Sequence, residues 1–128
     1  MSIAGTRMAT EAFYLFARHI FDELGYRRFE WKCNALNEPS RRAANRFGFK
    51  FEGIFRQHMV IKGENRDTAW YSMLDGEWPQ LKESLAEWLR PENFDAEGKQ
   101  LTRLKRRTDI EEENGNKFLR NNGIDLLN

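Results

Sequence analysis

A single cysteine, Cys33, stands in a chain of 128 residues, and that excludes an internal disulfide. Charge of either sign is not in excess: 21 Lys and Arg against 20 Asp and Glu leave a formal +1. A general nucleic-acid binder carries a strong basic surplus, so that class is set aside. The basic clusters that do occur, Arg27-Arg28, Arg41-Arg42 and Lys105-Arg106-Arg107, are short and have acidic neighbours. Each reads first as a solvated face. No apolar run reaches membrane length and none has the form of a secretion signal, so a cytoplasmic chain is expected. Internal repeats are absent, and no metal site is expected. Cys33 has no histidine near it in sequence and reads as a structural cysteine rather than a nucleophile.

What is present is enough apolar material for one packed domain: 40% of residues are hydrophobic, with 10 Phe and 4 Trp. Residues 8–24 read as an amphipathic helix, with Ala12, Leu15/Phe16, Ile20 and Leu24 on one face and Gly25 as the stop. "RRFEWKC" then alternates Phe29, Trp31 and Cys33 against Arg28, Glu30 and Lys32, the pattern of a strand with one apolar face. A second helix is expected over Glu38 to Phe47, with Asn37 as N-cap, Pro39 in the first turn and Gly48 as the stop. "FKFEGIFRQHMVIKG" and "DTAWYSML" are strand-like and joined by a turn, which makes a long hairpin. A third helix spans about Trp78 to Leu89. Beyond Pro91 the pattern thins, and the expectation there is a polar tail over 91–128 with one short helix near Gln100 to Arg107. Helix, strand, helix, hairpin, helix over residues 1–90 make a mixed α/β layer.

The stretch "CNALNEPSRRAANRFGFKFEG", Cys33 to Gly53, is unusual in setting Asn, Pro and Ser before a short helix that carries Arg41, Arg42 and Arg46. A bound anion or polar cofactor would explain it, and so would a well-capped surface helix. Positions 42 and 46 share a helix face and 41 lies aside.

Taken together, "ATEA" in the first helix, the N-x-x-S of "NEPSRRAANRFGF" and the hairpin "FRQHMVIKGENRDTAWYSMLDGEWP" resemble the GCN5-related N-acetyltransferase (GNAT) superfamily, in its ribosomal-protein N-terminal acetyltransferase branch. The resemblance covers about residues 4 to 90. It implies the C-terminal half of the three-layer acyl-CoA N-acyltransferase fold, and transfer of acetyl from acetyl-CoA to a primary amine, on a protein N-terminus or a small molecule. It places the pyrophosphate-binding loop on Ala4, Gly5, Thr6, Arg7, Met8, Ala9 and Thr10, where backbone N–H groups meet the positive end of a helix dipole. Arg7 stands where the family has glycine; its side chain could contact phosphate or crowd the site.

The same resemblance gives Asn37 to the pantetheine arm or to the helix cap, and Arg42 to a coenzyme A phosphate. Ala44 occupies the position of the family's helix tyrosine, which makes Ser40 the candidate acid for the departing thiolate. Glu30, Glu52 and His58 are the carboxylates and imidazole that could reach a site as base. Trp70, Tyr71 and Trp78 read as core aromatics with a share in the acceptor site open. The strands that precede the pyrophosphate loop in this family have no counterpart before Ala4. Two consequences are expected: an unpaired edge on the strand at Phe29 to Cys33, favouring a homodimer, and doubtful catalysis by this chain alone. The alternative to an enzyme is a non-catalytic remnant acting through association.

Overall fold

The computed structural model describes residues 6–123. The elements are α1 (Arg7–Arg18), continued by a π-helical turn (His19–Glu23), β1 (Arg28–Asn34), α2 (Glu38–Phe47), β2 (Lys50–Ile61), β3 (Glu64–Leu74), α3 (Trp78–Trp88), a 3-10 turn (Pro91–Asn93) and α4 (Arg107–Asn121). The three strands form one antiparallel sheet in the order β1-β3-β2. β1 therefore lies at an edge of the sheet among the described residues, as its sequence suggested.

Alternation on β1 fixes which face is covered. Phe29, Trp31 and Cys33 stand opposite Met73, Tyr71 and Ala69 of β3, and directly paired residues share a face. On this face lie α1 and α2: Phe13 stacks on Phe47 with ring centroids 4.5 Å apart, and Phe29 meets Phe49 edge-on at 5.1 Å. The core continues through Phe21, which stacks on Trp78 of α3 at 5.5 Å. Leu81, Leu85 and Trp88 complete the buried stripe of α3.

The buried stripe of α1 keeps only Ile20 of the expected one. Thr10, Phe13, Ala17, Ile20 and Phe21 face the core, whereas Ala12, Leu15, Phe16 and Leu24 are exposed. The helix is apolar on more than one side, so spacing alone admits both stripes. The one that wins carries Phe13 and Phe21, whose rings find Phe47 and Trp78. A π-helical turn at His19–Glu23 also adds to the spacing before Leu24.

α2 has the expected bounds. Gly48 ends it with φ 102°, and a Cβ there would stand 2.6 Å from Leu81 Cδ2. Glycine is thus required both for the left-handed cap and for the close approach of α3. The hairpin turn is tighter than the sequence suggested. Lys62 (φ 52°) and Gly63 (φ 78°) alone connect Ile61 to its partner Glu64. Two successive positive φ values make the two-residue turn whose twist matches the strands.

The helix expected near Gln100 to Arg107 lies further on, at Arg107–Asn121. Residues before it fold back on α3: Trp88 Nε1 donates to Thr102 O at 2.8 Å, and Asn93 Nδ2 donates to Trp88 O at 2.9 Å. Leu104 and Ile110 are buried in the core cluster. Phe94 meets the Trp88 ring edge-on at 5.1 Å. With apolar anchors this widely spaced and polar side chains making much of the attachment, the segment gives no periodic signal in sequence.

Candidate active site

The N-terminal turn of α2 is organised by two polar contacts. Asn37 Oδ1 accepts from the Ser40 backbone N–H at 3.2 Å, the cap that the sequence predicts. Trp31 Nε1, from β1, donates to Ser40 Oγ at 3.0 Å. An indole N–H can only donate, so the serine oxygen is the acceptor and its own proton stays available for another partner. Sequence reading had Trp31 only as a member of the apolar face. The usable signal was chemical: a tryptophan ring packed into a core needs a partner for its N–H, and Ser40 is the hydroxyl that α2 brings to it.

Three arginines on this helix go three ways. Arg41 donates through Nε to Tyr71 Oη at 2.9 Å and through Nη1 to Ala35 O at 3.2 Å. The tyrosine hydrogen bond raises the guanidinium's already high pKa. Arg46 turns to α1, where Nη1 donates to Thr10 Oγ1 at 2.7 Å. It is half-buried over the Trp88 ring, 4.9 Å from the centroid, and desolvation lowers its pKa. Arg42 is exposed and borders a cleft of about 460 Å³ with Arg41, Asn45, Lys50 and Arg107. So Arg46, not Arg42, ties α2 to α1.

At the start of α1, Thr6 is the N-cap, its hydroxyl accepting from Ala9 N at 3.1 Å. Thr10 N reaches Thr6 O at 3.1 Å. The amides of Arg7 and Met8 belong to the first turn and have no helical carbonyl within reach. Arg7 lays its guanidinium over the Phe94 ring, 4.3 Å from the centroid, which draws it onto the segment following α3. Gly5 and Ala4 lie outside the described residues. The N-terminal turn of α1 is thus capped at Ala9 and Thr10, and among the described residues the Arg7 and Met8 amides have no helical carbonyl to bond, an arrangement that fits an anionic group without demanding one.

The candidate bases differ sharply. Glu30 Oε1 accepts from Arg28 Nε at 2.8 Å, and Glu52 Oε2 from Arg28 Nη2 at 2.5 Å. The Arg28 hydrogen bonds hold both carboxyls below the usual carboxylate range, which makes them poorer proton acceptors. His58 lies elsewhere on the same face: its Nδ1 is 2.8 Å from Thr68 Oγ1, and its ring is edge-on to Phe55 at 5.4 Å. Cys33 is buried, and Ala44 is fully buried in the core. Among the described residues, no group of His, Cys, Asp and Glu is placed to hold a metal, and no helix is long and apolar enough to cross a membrane.

Helix, edge strand, capped helix and hairpin in this order define an α/β fold of the N-acyltransferase type. Comparison with known proteins narrows it. Residues 2–50 match the acetyltransferase (GNAT) domain family. A crystal structure of a GCN5-related N-acetyltransferase from Brucella melitensis superposes with a TM-score of 0.77 at 63% identity, over 80% of this chain and 46% of that one. A GNAT-family protein from Chromobacterium violaceum ATCC 12472 gives 0.56 at 59% identity, over 58% of this chain and 37% of its own. The candidate ribosomal N-acetyltransferase YdaF of Bacillus subtilis (strain 168) is 32% identical over 74 residues, 58% of this chain and 40% of that protein. Over the matched residues the chain is similar to acetyltransferases of the GNAT family. It spans less than half the length of each of these relatives.

Proposed function

We propose that this chain takes part in acetyl transfer from acetyl-CoA to a primary amine, with Ser40 as proton donor to the departing thiolate. The observation that carries the reading is the Trp31–Ser40 contact. The indole N–H fills one lone pair of Oγ at 3.0 Å and leaves the hydroxyl proton to be given away. The substrate's pyrophosphate would lie at the N-terminal turn of α1, against the amides of Arg7 and Met8, with Thr6, Ala9 and Thr10 shaping the turn. Asn37 keeps α2 capped beside the thioester, and Arg42 supplies an exposed charge at the flank. The similarity to YdaF favours a protein N-terminal amine as acceptor.

A second reading is association without catalysis. It is favoured by the edge position of β1 and by the exposed Met8, Leu15 and Phe16 of α1, at 73%, 45% and 57% exposure. An open strand edge beside apolar helix surface is a pairing surface, and a second copy of this chain would satisfy it. Thermal denaturation with acetyl-CoA, repeated at several protein concentrations, separates the two. Ligand at a hundredfold excess over its dissociation constant adds about 3 kcal/mol of stability, seen as a rise in Tm. No rise with acetyl-CoA, together with a Tm that climbs with protein concentration, would leave association alone.

A further inference from the structure

On the sheet face opposite α1 and α2, we propose that Phe55, His58 and Trp70 form a recognition site for an alkylammonium group, occupied in the free chain by Lys32. Lys32 Nζ stands over the Trp70 ring, 4.2 Å from its centroid. Phe55 flanks that ring at 4.7 Å, and His58 meets it edge-on at 6.2 Å. Cations sit on aromatic faces because the ring quadrupole is negative there, and tryptophan binds them best.

Three observations mark this as more than a cross-strand pair. First, the hairpin register breaks between Phe55 and Met59, and Gln57 within that break has φ 50°. Left-handed backbone is costly for a residue with a Cβ and persists where the surroundings enforce it. Here Asp67 enforces it: Oδ1 accepts from Gln57 N at 2.7 Å and from Asn65 Nδ2 at 3.1 Å. The bulge brings His58 to Thr68 Oγ1 and aims Phe55 and His58 at one ring, the kind of re-aiming that bulges provide. Second, Trp70 Nε1 is buried and has no hydrogen-bond partner among the described residues, so the ring is held for its face rather than for its N–H. Third, the cation on the ring is tethered and replaceable. Lys32 is half-exposed at its side chain, and Glu30 Oε2 is 3.5 Å from its Nζ.

The site deepens the acetyl-transfer reading and rests on it for its purpose: an incoming acceptor ammonium would displace Lys32 and be held on Trp70. The test uses the whole chain, n-butylammonium chloride as probe and 1-butanol as the neutral control of similar size, at constant ionic strength. The four indole N–H resonances are followed by NMR, Trp70 being assigned from its loss in Trp70→Phe. In Lys32→Met, butylammonium should move the Trp70 signal saturably, about fivefold tighter than in the unaltered chain. Phe55→Leu in that background should weaken the binding, and it keeps the proposal testable if Trp70→Phe folds poorly. No saturable movement in Lys32→Met, or equal movement with butanol, overturns the site. Acetyl-CoA binding measured on the same samples keeps the two readings apart: amine binding without acetyl-CoA binding sinks the transfer reading and leaves the ammonium site standing.

Discussion

Trp31 and Ser40 are nine residues apart in sequence and lie on an edge strand and a helix, yet Nε1 of one donates to Oγ of the other at 3.0 Å. The contact fixes where the hydroxyl sits relative to β1 and which of its roles is left free. Ser40→Ala removes the proposed acid and should lower kcat about a hundredfold or more, with acetyl-CoA affinity unchanged. Trp31→Phe keeps the hydroxyl but loses one partly buried hydrogen bond, costing about 1 kcal/mol of stability, with a smaller fall in kcat. Steady-state kinetics beside a binding titration decide. Unchanged kcat in Ser40→Ala removes the serine from the mechanism.

Gly48 is where α2, β2 and α3 meet. Gly48→Ala places a methyl 2.6 Å from Leu81 Cδ2 on a backbone at φ 102°. The left-handed conformation alone costs about 1 kcal/mol for a side chain, and the displaced Leu81 adds to it. Urea denaturation should show a loss of about 2 kcal/mol at unchanged m-value. A loss below about 0.5 kcal/mol would mean that the cap relaxes freely.

How much of this was legible depended on whether the determining signal was local. The bounds of α2 were readable because Asn37, Pro39 and Gly48 each act on their own backbone. The strand β1 and its apolar face were readable from the alternation of Phe29, Trp31 and Cys33, whereas its edge position was implied only by the family resemblance. The buried face of α1 was not, because two apolar stripes compete and only the partners Phe47 and Trp78 choose between them. α4 was not, because its anchorage is long-range and largely polar: beside the buried Ile110, Arg107 donates to Gly48 O at 3.2 Å and pairs with Glu77 of the loop before α3. In the candidate site, Ser40 and Asn37 came from a motif. The partner Trp31 and the α1 contact of Arg46 came only from packing.

Thr10 carries a polar joint inside the core. Its hydroxyl donates to Thr6 O at 3.0 Å and accepts from Arg46 Nη1 at 2.7 Å, and the residue is wholly buried. Thr10→Val keeps the volume and removes both bonds. It deprives a half-buried guanidinium of this acceptor, at a cost of about 2 kcal/mol. Arg46→Met in the same background should recover part of that loss, since the charge no longer needs solvation. Denaturation of the two single variants and the double variant gives the coupling directly. Additive losses would show that Thr10 and Arg46 do not act on each other.

Asp109 is held by two arginines at the start of α4. Its carboxylate accepts from Arg106 N at 2.8 Å and from Arg103 Nη1 at 2.9 Å, and Arg106 reaches its other oxygen at 3.1 Å. The Arg106 side chain first, then Arg103, hold its carboxyl well below the ordinary value of 3.8. A folded-state pKa below the unfolded one means that the folded state binds fewer protons. The resulting stability is fully present above the unfolded value and is lost as pH falls below about 3.8 toward the folded value. Asp109→Asn should therefore lower stability at pH 7, where the natural carboxylate is charged. It should also flatten the fall in stability below pH 4, where the natural side chain is taking up its proton. Circular dichroism of α4 against pH, on both proteins, reads the effect. Parallel acid transitions would assign the low-pH loss to other carboxylates and leave Asp109 only its helix-capping bond to the Arg106 amide.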